Sequence, residues 1–171
     1  EQTKDVWTHL VDIRKSFEPR AEELAKKYAL APYTMFIGSG ALWGETILFS
    51  MCILEEMQWK RTRYITSADF FHGTLELVEP GVPVFLFMGE DENRKLDERV
   101  RAFLTRGVTG DTDINIIDTA EFAIPGLDDE FRVIVSPWIL SSLITDRLAA
   151  YYETVTKHNL NYRRYYHQFD Y

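Results

Sequence analysis

The chain has 171 residues, 46% hydrophobic and 27% charged, proportions that suit one globular domain with an ordinary core. A formal net charge of −8, with Lys and Arg dispersed along the chain, excludes the basic footprint of a protein that binds nucleic acid or an anionic membrane, and leaves small molecules or other proteins as partners. The single cysteine, Cys52, cannot make an internal disulfide, and no paired Cys-x-x-Cys ligands occur; no metal site is implied and a reducing cytoplasm is the expected compartment.

Apolar stretches are of strand length or interrupted by charges, short of the roughly 20 residues a membrane span needs. Residues 1–20 are amphipathic and charged, unlike a signal peptide. The chain does not begin with methionine and its first segment reads as the middle of something already folded, so a fragment of a longer protein is expected.

In chain order, Trp7, Leu10, Ile13, Phe17, Ala21, Leu24 and Tyr28 recur at helical spacing and predict a long amphipathic helix that packs on a sheet. Tyr33 to Ile37 reads as a strand followed at once by the turn Gly38-Ser39-Gly40. Leu42 to Met57 is apolar on most faces and predicts a well-buried helix, and 63–66 predicts a short strand. Phe70 to Val78 carries a His-Gly pair and turns helical in character. Val82 to Met88, after Pro80-Gly81, is the continuous apolar run of a parallel strand covered on both faces.

Leu96, Val100, Phe103 and Leu104 mark a further amphipathic helix, Ile114 to Ile117 another buried strand, and Val135 to Val155 a long last helix opening near Ser136-Pro137, where proline suits a first turn. Strands alternating with helices imply an α/β fold with a parallel sheet in a three-layer αβα sandwich. The tail from Asn159 to Tyr171 has no assignable element.

Three features could carry chemistry. Gly38-Ser39-Gly40 lies between a strand and a helix, where backbone amides and a hydroxyl can meet an anion or a sugar oxygen, although a turn that needs only glycine's backbone freedom reads the same. Glu55 and Glu56 close a helix, against its dipole, which stability alone would not select. His72, between Phe70-Phe71 and Gly73, is expected in an apolar setting; a histidine there is either structural or a proton-transfer group.

These blocks in order resemble the sugar isomerase (SIS) family. The glycine turn, the long helix ending in Glu56, the Phe-His-Gly with its histidine at 72, and the strand Pro-Val-Phe-Leu-Phe at 83–87 resemble the second SIS half of sugar-phosphate isomerases and deglycases. The interval of 72 − 56 = 16 residues between glutamate and histidine is similar to the catalytic pair of the isomerase half of glucosamine-6-phosphate synthase. The run from Phe70 to Glu76, with Gly89-Glu90-Asp91-Glu92 and Arg94, resembles more narrowly the bacterial deglycases of phosphorylated Amadori compounds. Neither the Ser/Thr-rich phosphate loop of the fold nor the synthase's C-terminal lysine has a match, which sets synthase activity aside.

The resemblance implies a single SIS lobe over 1–171, the C-terminal half of a two-lobed protein, acting as a homodimer on a sugar-phosphate substrate with no cofactor. It implies Glu56 as the base at C1 of a 6-phosphorylated fructose–amino acid, His72 as ring opener or acid, and Gly38, Ser39 and Gly40 as substrate-binding groups. The products would be glucose 6-phosphate and the free amino acid. The aspartate compound is expected over the lysine compound, with Arg63, Arg94 and Arg163 as candidates for the amino acid's carboxylate. The alternatives are an aldose–ketose phosphosugar isomerase, a non-catalytic sugar-phosphate sensor, and a dimer scaffold whose interface uses the aromatic tail (Tyr165, Tyr166, Phe169, Tyr171).

Overall fold

A computed structural model describes residues 4–107 and 109–170 of the chain; Tyr171 of the aromatic tail lies outside the described residues. Four strands, β1 (Tyr33–Ile37), β2 (Arg61–Ile65), β3 (Val84–Met88) and β4 (Ile114–Asp118), form one parallel sheet in the order β2-β1-β3-β4. β1 runs where the aromatic and branched stretch predicts it, and β2 begins two residues before the expected start.

Alternation along the strands divides the core between the two faces of the sheet. Phe36, Phe85, Phe87 and Ile117 point to one face, and Phe36 stacks on Phe85 and Phe87 at 5.2 and 6.0 Å between ring centroids. Met35, Ile37, Val84, Leu86 and Met88 point to the other. β3 is therefore buried along its whole length, the situation its unbroken apolar run calls for.

The first face is covered by α1 (Val6–Tyr28), by α2 (Trp43–Ile47) and its π-helical continuation Leu48–Met57, and by α4 (Asp129–Ser141), a π-helical stretch Ser142–Leu148 and α5 (Ala149–Thr156). The second face carries α3 (Arg94–Leu104) and two 3-10 turns, Phe70–His72 and Thr74–Leu77. The chain leaves β1 in one direction for β2 and builds β3 and β4 in the other, so right-handed crossovers place their helices on opposite faces. This is the expected αβα sandwich.

Four local expectations are corrected. Val6, not Trp7, starts the buried stripe of α1; Trp7 is 65% exposed and stacks on Trp138 at 5.3 Å. The helix over 43–57 buries one face, on Thr46, Phe49, Ser50, Ile53 and Leu54, and leaves Met51 exposed. Phe70 to Val78 forms 3-10 turns instead of a regular helix, because Gly73 between them takes φ 130°, which no helix accommodates.

The last helix opens at Asp129, seven residues ahead of Ser136-Pro137. Acidic Asp129 and Glu130 occupy its first turn, where the helix dipole favours them. Pro137 is interior. A proline there leaves the Val133 carbonyl without its amide donor, and the Ser136 hydroxyl donates to that oxygen at 3.2 Å. The run Asp129–Thr156 is also long and apolar enough, by length and composition, to cross a membrane, a feature not expected from the charge-interrupted sequence. Its Val135, Ile139, Leu140, Leu143, Ile144, Leu148 and Tyr152 are buried in the core, which accounts for that character.

Candidate active site

Glu56 is positioned by the π-helical end of the helix over 43–57. Thr46 and Ser50 donate their hydroxyls to the carbonyls four residues back, Leu42 and Thr46, at 2.9 and 2.7 Å. Such back-bonding competes with the i−4 amide and loosens the helix. The turn then closes with the Gln58 amide on the Ile53 carbonyl, five residues back. Single π turns are frequent where a helix must aim a functional side chain.

The two carboxylates at this end have different surroundings. Glu55 accepts from the Thr62 hydroxyl of β2 at 2.5 Å and ties the helix to the sheet. Glu56 faces a cleft of about 350 Å³ lined also by Glu55, Trp59, Lys60, Arg163, Arg164, Tyr165 and Tyr166. In it Arg163 Nε meets Glu56 Oε1 at 2.9 Å.

The tail reaches the cleft because its root is anchored beside the helix end. Gln58, buried, donates to the His158 carbonyl at 2.6 Å and accepts from the Thr156 hydroxyl at 2.6 Å. Lys157 then reverses the chain with φ 57°. Trp59 is the platform on which the tail lies: the Arg164 guanidinium sits 4.3 Å from its ring centroid and the His158 ring 4.4 Å away. Lys60 donates to the Ala31 carbonyl at 2.7 Å, and burial holds its ammonium below the ordinary lysine range. Burial, then the charges of Glu56 and Glu55, push the Cys52 thiol up, so Cys52 is no ready nucleophile.

His72 is elsewhere. Glu56 precedes β2, at its amino end, whereas His72 follows the carboxyl end of β2. A five-residue strand is about 16 Å long, far beyond the roughly 3 Å over which one proton acceptor and one donor share a substrate atom. Its setting is corrected too: His72 is exposed, because Phe70 is buried and Phe71 packs edge-on to Phe103 under Arg99. The aromatic neighbours point into the core and leave the imidazole outside.

Gly38-Ser39-Gly40 lies at the carboxyl end of β1, beside the end of β3, at the point where the strand order reverses and where α/β sheets commonly bind ligands. Its groups have partners within the chain. The Asp91 carboxylate accepts from the Ala41 amide at 2.6 Å, and the Ser39 hydroxyl accepts from the Ser67 amide at 2.7 Å. Gly40 has φ 54°, and a Cβ there would lie 2.1 Å from Asp91 Oδ2, so glycine is required for the close approach.

Below the turn, Asp97 is 1% exposed and accepts from the Ser67 hydroxyl at 2.5 Å and from the Gly89 amide at 3.3 Å. Burial pushes its carboxyl up to about 6, against these two hydrogen bonds, which lower it. The folded protein thus holds this proton more tightly than the unfolded chain. The resulting stabilisation is complete below the ordinary carboxylate value of 3.8 and is lost as pH rises through about 6. In urea unfolding, the wild type is expected to gain about 1–2 kcal/mol on Asp97→Asn when pH is lowered from about 7.5 to about 5.

No protein-family model matches the sequence. The fructosamine deglycase FrlB of Bacillus subtilis is 30% identical over 148 residues, 85% of this chain and 43% of that protein. The fructoselysine 6-phosphate deglycase of Escherichia coli K12 is 30% identical over 169 residues, 97% of this chain and 45% of that one. A crystal structure from Bacillus subtilis, described as a candidate phosphosugar isomerase, superposes on all of this chain and 51% of its own with a TM-score of 0.91 at 26% identity. The chain has the SIS fold of that structure and is related in sequence to these deglycases. It spans about half the length of the curated relatives it matches.

In this SIS lobe, sequence reasoning picked out Glu56 and missed most of what surrounds it. Gln58, Trp59, Lys60 and Arg164 have no role in the sequence reading, which gives the tail only a candidate dimer interface through its aromatic residues and Arg163 as one of three arginine candidates. The available signal was the pairing of Trp59-Lys60, three residues beyond two carboxylates, with a Tyr-Arg-Arg-Tyr-Tyr run at 162–166, aromatic and cationic partners of complementary kinds.

Proposed function

We propose that this SIS lobe provides the C1 base of a deglycase that releases an amino acid from a 6-phosphorylated fructose–amino acid. The observation that carries the reading is the Glu56 cleft, a half-buried carboxylate in an indentation of about 350 Å³ whose wall is cationic. The sequence relationship to fructosamine and fructoselysine 6-phosphate deglycases supports it.

In the reaction Glu56 removes a proton from C1 of the open-chain 1-amino-1-deoxyketose while the C2 oxygen gains one, giving a 1,2-enaminol. Protonation at C2, with loss of the nitrogen's proton, moves the double bond to C1=N. Water adds to this imine, and the C–N bond breaks to give glucose 6-phosphate and the amino acid. His72 opens the sugar ring and protonates the C2 oxygen. Because β2 separates His72 from Glu56 within one chain, the reading requires the imidazole to come from another lobe, in a homodimer or in a two-lobed protein. Gly38, Ser39 and Gly40 then border the substrate at the His72 end of a lobe.

The aspartate compound is favoured over the lysine compound. Lys60, Arg163 and Arg164 line the cleft, Glu55 is tied to Thr62, and a second carboxylate on the substrate suits that balance better than a second ammonium.

The test is incubation of the full-length protein with 6-phosphofructose-aspartate and with fructoselysine 6-phosphate, with assay of both glucose 6-phosphate and free amino acid. Equimolar release of the two, faster from the aspartate compound, is the expected result. Interconversion of aldose and ketose phosphates without amino acid release would establish the isomerase alternative instead.

A further inference from the structure

We infer that Arg163 is the specificity-determining residue that receives the α-carboxylate of the substrate's amino acid, giving up Glu56 in exchange. The inference rests on the proposed deglycase reading and goes beyond it, by separating three arginines that sequence alone leaves equal.

Arg94 is fully committed: its Nη1 donates to the Gly89 carbonyl and to Asp118 Oδ1 at 2.8 and 2.9 Å, and its Nη2 to Asp118 Oδ2 at 2.6 Å. It follows β3, at the end of the sheet opposite Glu56. Arg63 lies in β2 and reaches the Thr74 hydroxyl at 3.4 Å, on the side of the 3-10 turns. Arg163 alone among the three lines the Glu56 cleft.

Its guanidinium is held but not exhausted. Nη1 donates to the carbonyls of Leu160 and Tyr162 at 2.7 and 2.8 Å, which locks the side chain to the tail. Nε is ion-paired with Glu56, and among the described residues no group takes Nη2. Nε and Nη2 form one edge of the planar fork, the edge that grips a carboxylate with two parallel hydrogen bonds. Glu56 engages only half of it.

The chemistry decides which anion takes the rest. A base acting on C1 has at its side whatever is attached to C1, and the α-carboxylate is separated from C1 only by the amine nitrogen and the α carbon. The phosphate, on C6, is at the far end of the sugar. A cation in contact with the C1 base therefore meets the carboxylate. When that carboxylate takes the two-donor edge, Glu56 is released from the tail and turns to the C1 proton, so that recognition of the amino acid and arming of the base are one event. A substrate without the α-carboxylate leaves Glu56 paired.

The test uses the full-length protein with 6-phosphofructose-aspartate and with its counterpart made from β-alanine, which is aspartate without the α-carboxylate. The wild type is expected to favour the aspartate compound in kcat/KM by about 100-fold. Arg163→Ala and Arg163→Gln should each remove most of this preference, lowering kcat/KM for the aspartate compound about 100-fold and for the β-alanine compound less than about threefold. Arg163→Lys, which keeps the charge but not the fork, should restore only part of it.

Equal losses on both substrates in a variant that remains folded by circular dichroism would mean that Arg163 serves the fold or the phosphate, and the inference falls. An unchanged preference overturns it as well. A wild type that releases amino acid but does not distinguish the two compounds refutes this inference and leaves the deglycase reading standing. A wild type that releases amino acid from neither overturns both.

Discussion

Glu56→Gln and His72→Asn are each expected to lower amino acid release by about 10³-fold while leaving the fold intact, the scale on which removal of a positioned acid or base is felt. Glu56 is half-buried and His72 exposed, and neither belongs to the core, so circular dichroism and the urea midpoint should remain near wild type. The informative experiment is the mixture. With Glu56 at the amino end of β2 and His72 beyond its carboxyl end, the proposed mechanism requires each site of a homodimer to take its glutamate from one copy and its histidine from the other. Unfolding and refolding the two variants together would make half of the dimers hybrid, and each hybrid holds one site with both groups intact. About a quarter of wild-type activity should return. Activity no greater than that of the separate variants shows that the pair is not divided between copies.

Arg132→Ala is expected to cost about 3–5 kcal/mol of stability, read as a fall in the urea midpoint. Arg132 and Glu90 are only 12% and 13% exposed in their side chains. Arg132 pairs with Glu90 through Nε, donates from Nη2 to Glu90 Oε1 at 2.9 Å, and reaches the Thr119 and Phe122 carbonyls at 3.1 Å each. Removing the guanidinium leaves a desolvated carboxylate whose remaining donor among the described residues is the Thr119 hydroxyl at 2.9 Å, together with two carbonyls that lose a donor. The large cost is that of the stranded charge, not the worth of the pair. The double variant Glu90→Met, Arg132→Met should accordingly recover much of the loss, since apolar replacement of both partners is often close to neutral. A double variant no better than Arg132→Ala would place the cost in the Thr119 and Phe122 carbonyls instead.

Much of the architecture was legible because it depends on local pattern. Tyr33 to Ile37 is rich in aromatic and branched residues and is followed by a glycine turn, Val82 to Met88 is apolar without interruption, and both describe what a central parallel strand must be. The helix ending in Glu56 was legible for the same reason. Its π geometry was not, since this follows from which carbonyls Thr46 and Ser50 choose once the helix exists. Pro137 misled because a proline is far commoner in a first turn than in a helix interior; the Ser136 hydroxyl that serves the Val133 carbonyl is visible only in three dimensions. His72 misled because two adjacent phenylalanines predict apolar company, yet Phe70 and Phe71 turn inward to Phe103 and leave the next residue outside.

The sequence by itself determined the parallel αβα sandwich and the family likeness, and it nominated Glu56 and His72 for the proposed proton transfers, because periodicity and short motifs are properties of neighbouring residues. Only the tertiary structure decided that Glu56 and His72 stand at opposite ends of one strand and that Arg163 reaches Glu56 from the tail. Spacing along the chain is not distance: His72, near Glu56 in sequence, is carried away by the length of β2, while Arg163, far beyond it, is returned by the anchoring of the tail at Gln58.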